Sequence, residues 1–105
     1  MKTIKTSDVQ PFENPHGVDG RKLFISDNIQ IVRLTLKPGE TIQPHSAPIY
    51  VFFFVVEGEG ICESGDESIA VSKDTLIFST PGTIQGWRNT GTGELKLLVS
   101  KVVQI

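Results

Sequence analysis

The chain has 105 residues, 38% of them hydrophobic and 21% charged, with a formal net charge of −2. That length suits one domain with a core of its own and excludes two. The scattered lysines and arginines form no basic patch, which excludes a nucleic-acid footprint, and the single cysteine, Cys62, excludes an internal disulfide.

In chain order, residues 1–20 read as an irregular N-terminal arm. Met1 to Asp8 lack the apolar run of a secretory signal, which points to a soluble, reducing, cytoplasmic setting. Asn14-Pro15-His16-Gly17 is a Pro-flanked irregular stretch in which His16 reads as a surface histidine. From there on, Val, Ile, Phe and Thr gather in short runs separated by Gly, Pro, Asn and Asp. Strands are predicted at about 21–26, 29–37, 49–56, 61–63, 68–71, 75–78, 84–88 and 94–103. No window sustains a helical period, and no apolar run is long enough to cross a membrane as a helix. Many short strands with regular turn signals predict a single all-β domain: a sandwich, barrel or jelly roll.

The run Ile49-Tyr50-Val51-Phe52-Phe53-Phe54-Val55-Val56 is apolar on both faces, unlike an antiparallel strand with one wet side. One face can line a barrel interior. The other needs a cover, and a second copy of the chain in a homodimer is the expected one. The alternative is that the segment around Phe12 and Val18 folds over it.

Two stretches carry a family resemblance. The first, about 38–60, holds Pro38-Gly39, His45-Ser46-Ala47, Tyr50-Val51 and Gly58-Glu59-Gly60. It resembles the first cupin motif, in which a glycine is followed by five residues, His-x-His, a glutamate and a further glycine. The second, about 73–89, holds Pro81-Gly82, Gln85, Gly86-Trp87 and Asn89, and is similar to the second cupin motif. Asp74 stands where that motif has a glycine, a mild change because aspartate tolerates left-handed backbone. The resemblance implies a double-stranded β-helix, the cupin jelly-roll barrel, as one domain over 1–105.

Metal-binding cupins hold a divalent ion with three histidines and a glutamate. Carried over, those positions are His45, Ala47, Val51 and Gln85, and only His45 keeps its type. Residues 45, 47 and 51 share a face of an unbroken strand, yet alanine and valine cannot ligate. The resemblance therefore implies no tightly bound metal and no cofactor. Cys62 cannot replace a ligand. If Gly58-Glu59 turns a hairpin, Cys62 lies across from Val55, at the far end of the barrel, as a small buried hydrophobe.

A metal-free acid–base site is weakly supported, because Tyr50 has the opposite parity to His45 and no carboxylate occupies an inward position. What remains is a barrel interior with space where an ion would stand. The candidate pocket residues are His45, Ala47, Val51, Phe53, Gln85 and Trp87. Arg33 joins them if Ile31, Arg33 and Thr35 face inward, where it would pair with a ligand carboxylate. The expected function is a small-molecule-binding cupin. The alternatives are a divergent metalloenzyme of isomerase or dioxygenase type, built on His45 and Gln85, or an interaction module with a packed barrel.

Overall fold

The computed structural model describes residues 1–105 and contains nine strands, one 3-10 turn at Thr6–Asp8 and no α-helix. The strands are β1 (Asp19–Ile25), β2 (Ile29–Leu36), β3 (Thr41–His45), β4 (Tyr50–Glu57), β5 (Glu59–Ser64), β6 (Glu67–Ser72), β7 (Leu76–Ser79), β8 (Gln85–Arg88) and β9 (Leu95–Val102). They form two antiparallel sheets, a five-stranded one in the order β1-β2-β9-β4-β7 and a four-stranded one in the order β3-β8-β5-β6. The expected double-stranded β-helix is the architecture observed.

Sequence alternation explains which side chains enter the core. In β9, Leu95, Leu97 and Val99 are buried while Lys96, Leu98 and Ser100 lie on the other face. Their register partners on β2 are Leu36, Leu34 and Val32, and β4 adds Val55, Phe53 and Val51. Burying each such side chain contributes on the order of 1.5–3 kcal/mol. The packing is not uniform along the barrel. Leu36, Val55, Leu95 and Leu97 close one end at 0% exposure, and the same inward row of β9 ends at Lys101.

Arg33 differs from its predicted placement. Of the two faces of β2, the wholly apolar set Val32, Leu34 and Leu36 takes the interior, and Ile31, Arg33 and Thr35 turn outward. Arg33 sits across from Arg21 on β1, in an outer polar groove shared with Glu94 and Lys96.

Two further differences concern connections. The single strand expected through residues 45–51 is broken: β3 and β4 belong to opposite sheets, and residues 46–49 carry the chain between them. The Gly58 turn also passes between sheets instead of closing a hairpin. Its φ of +87° belongs to the region glycine tolerates best, and a Cβ there would strike the Glu94 carbonyl. Cys62 therefore lies across from Ile69 and Trp87, not Val55, and is buried as expected. Asp74 is the one non-glycine residue with positive φ, at +66°, in the position read as a tolerated left-handed turn.

Candidate functional site

A cavity of about 590 Å³ lies between the sheets at the end opposite the tightly packed core. Its walls are Val32, Leu34, Val51, Phe53 and Val99 from the larger sheet and Ile42, Gln85 and Trp87 from the smaller one. That volume falls within the range of small-molecule sites. Phe53 and Trp87 meet with ring centroids 5.1 Å apart at a 45° tilt, so the aromatic part of the wall is held by mutual packing.

His45 owes its position to an irregularity in the β3–β8 pair. Pro44 has no N–H to give the ladder, and the register shifts between Ile42 and His45. Gly86 permits this bulge, because a Cβ there would meet the Ile42 carbonyl oxygen at 2.8 Å and the Pro44 nitrogen at 2.9 Å. After the shift, His45 sits directly across from Gln85. The His45 Nδ1–H donates to the Gln43 carbonyl at 3.0 Å, leaving Nε2 free for another partner.

His16 arrives from the other direction and is not the isolated surface residue expected. The arm is tied down by Phe12 N–H donating to the Gly20 carbonyl at 2.9 Å and by Arg21 donating to the Val9 carbonyl at 3.1 Å. The Asn14 side chain then organises the turn: its Nδ2 donates to the Val18 carbonyl at 2.8 Å and its Oδ1 accepts from the His16 N–H at 3.1 Å. The outcome is a histidine pair, with the His16 and His45 rings 5.3 Å apart. Burial, together with the neighbouring His45 and Lys101 charges, holds His16 below the ordinary histidine pKa. No local signal in the sequence pairs two histidines 29 positions apart. Their meeting depends on the arm crossing the barrel mouth.

The structure brings His45, Ala47, Val51, Phe53, Gln85 and Trp87 to this one cavity and leaves Arg33 outside it. Lys101, which sequence reading did not single out, also lines it. Its position in the inward row of β9 was the available signal. Two buried polar atoms of the wall, Gln85 Oε1 and Trp87 Nε1, have no hydrogen-bond partner within the protein. Each unpaired buried group costs about 1–3 kcal/mol, which a ligand offering a partner would recover.

The donor set does not fit the four-residue metal site that the motif positions imply. Ala47 and Val51 bring no donor, and Gln85 brings an amide. His16 adds an imidazole, but no group of three histidine, cysteine, aspartate or glutamate side chains converges anywhere in the chain. Two imidazoles and a neutral carbonyl are a poor substitute for three histidines and a carboxylate.

Two antiparallel sheets closed into a double-stranded β-helix, with a cavity at one end, define a jelly-roll barrel protein. The cupin domain family model matches residues 32–101, and the chain belongs to that family. A search of curated proteins by sequence finds no match. Among solved structures, a predicted oxalate decarboxylase from Thermotoga maritima is similar over 97% of this chain and 99% of its own, with a TM-score of 0.89 and 18% identity. The polyketide cyclase RemF from Streptomyces resistomycificus is similar over 97% of this chain and 79% of its own, at a TM-score of 0.86 and 20% identity. The cupin domain of Cnp3 from Schizosaccharomyces pombe is similar over 96% and 73%, at 0.86 and 12%. At these identities the likeness speaks for the fold, which hosts unrelated activities.

Proposed function

We propose that this cupin binds a small organic molecule in the barrel cavity, without a tightly held metal. The observation that carries the reading is an apolar cavity of about 590 Å³ whose wall contains two buried polar atoms lacking partners, Gln85 Oε1 and Trp87 Nε1. Apolar walls with a few convergent polar groups are the usual make-up of a small-molecule site. A packed-barrel interaction module has no use for that space, and a metalloenzyme needs donors that Ala47 and Val51 do not provide.

The test is a thermal-stability screen with acids, alcohols, amines, sugars and aromatic compounds on the wild-type chain and on Val51→Phe, which fills the cavity. A ligand at a hundredfold excess over its Kd stabilises by about 2.7 kcal/mol, a shift of many degrees for a domain this small. The expected result is a shift in the wild type that Val51→Phe abolishes. A wild type unmoved by every class sinks the reading.

The same reading includes a second copy of the chain on the outer face of the larger sheet. Phe24, Ile31, Ser100, Phe52 and Phe78 form one row across all five strands, without a charge among them. Phe78 is 62% and Phe24 50% exposed, and Leu76 and Phe54 continue the patch. An exposed apolar row of this kind calls for a cover, and a second copy related by a two-fold axis brings the same row to meet it.

A further inference from the structure

The charge distribution at the cavity is at odds with that of the chain. Acidic residues outnumber lysine and arginine by 12 to 10 in the sequence, yet no aspartate or glutamate lines the cavity. Its titratable groups are His16 from the arm, His45 from β3 and Lys101 from β9. The strands β2, β4, β7 and β8 contribute only apolar and neutral polar side chains to it. Lys101 is half-buried and belongs to no ion pair, whereas Lys96, five residues earlier on the outer face, pairs with Glu57 and Glu94. The cations are also segregated. The inward row of β9 runs Leu95, Leu97, Val99, Lys101, so the cavity is apolar in depth and basic at the mouth, where the histidine rings lie 5.3 Å apart.

Resting on the proposed small-molecule reading, we infer that the ligand is an amphipathic monoanion. Its carboxylate, or an enolate of like charge, lies at the mouth against Lys101, His16 and His45. Its apolar body lies against Phe53, Trp87 and Val99. One permanent cation flanked by two histidines matches a single negative charge; a phosphate dianion would call for a denser donor set. Gln85 adds either an acceptor or two donors, according to the rotation of its amide. The free site keeps His16 short of protons through burial and the field of its neighbours. An arriving anion reverses that field, so binding takes up protons and strengthens as pH falls from 8 to 6.

The experiment is titration calorimetry on the unmodified chain with two probe series of constant body and changing head group. These are 2-naphthoate, 2-naphthalenemethanol and 2-naphthylmethylammonium, and octanoate, 1-octanol and octylammonium. In at least one series the carboxylate is expected to bind about tenfold more tightly than the alcohol at pH 6, with the ammonium weakest. That preference shrinks severalfold at pH 8. Lys101→Met removes most of the preference for the carboxylate over the alcohol, with Lys101→Gln as the second variant should Met fold poorly. Carboxylate and alcohol binding alike in the wild type, or a carboxylate preference that survives loss of the lysine charge, overturns the inference while sparing the small-molecule reading. Failure of all six probes, together with an unresponsive thermal screen, overturns both.

Discussion

The most informative single change is Gln85→Leu. Gln85 is 6% exposed, lies opposite His45 and carries a buried Oε1 with no partner in the protein. A buried acceptor left unpaired costs about 1–3 kcal/mol, and leucine has nearly the same volume without that atom. The ligand-free variant is therefore expected to be more stable than wild type by about 1–3 kcal/mol. For a domain of this size, each kcal/mol moves Tm by about 4–8 °C, so the increase is at least about 4 °C. Urea unfolding monitored by fluorescence, with an unchanged m value, measures it directly. On the proposed small-molecule reading, the same variant also loses affinity for the ligand, because it removes the amide that a ligand would pair with. A Tm at or below that of wild type refutes the reasoning. Gln85 would then be a structural residue with an internal partner, and the case for a binding role in it would fall.

Three other outcomes are expected. Elemental analysis of the untagged chain, purified without chelators beside His45→Ala, gives background metal in both; near-stoichiometric metal that disappears in the variant overturns the donor-set argument. Burial, with a smaller contribution from Glu63, pushes the Cys62 thiol up to about 11, so native protein at pH 8 resists a thiol-specific chromogenic reagent that labels it fully in denaturant. The sign follows: the neutral thiol is favoured on folding, so its stabilising contribution is whole below pH 9 and is lost as pH rises toward 11. Sedimentation at micromolar concentration gives a dimer for wild type and a monomer for Phe78→Glu, because Phe78 is the most exposed member of the outer apolar row; a monomeric wild type removes the self-association reading.

The barrel was legible in the chain because its signals are local. Turn residues such as Pro38-Gly39 and Pro81-Gly82 mark the ends of strands, and Asp74 adopts the left-handed backbone that its place in the motif required. Alternation in residues 95–99 reports which side chains are buried, since successive side chains of a strand point to opposite faces. Residues 45, 47, 51 and 85, the positions carried over from the motif, line one cavity.

Alternation alone does not say which sheet a strand joins or where a connection crosses. The strand Thr41–His45 was missed because residues 46–49 move the chain to the other sheet, a choice made by pairing with β8 between 40 and 47 positions away. Cys62 likewise faces Trp87 because β5 pairs across the smaller sheet. Arg33 turned outward because the competing face of its strand is wholly apolar, and burying three aliphatic side chains outweighs placing one cation beside a ligand. The histidine pair is the clearest product of tertiary structure: it exists because the arm is hydrogen-bonded to the barrel and carries His16 across the mouth to His45. Sequence by itself determined most of the strands and the turns between them, because those signals lie in neighbouring residues. Only the folded chain decided which distant residues meet, because the free energy that places them comes from pairing and burial between segments far apart in sequence.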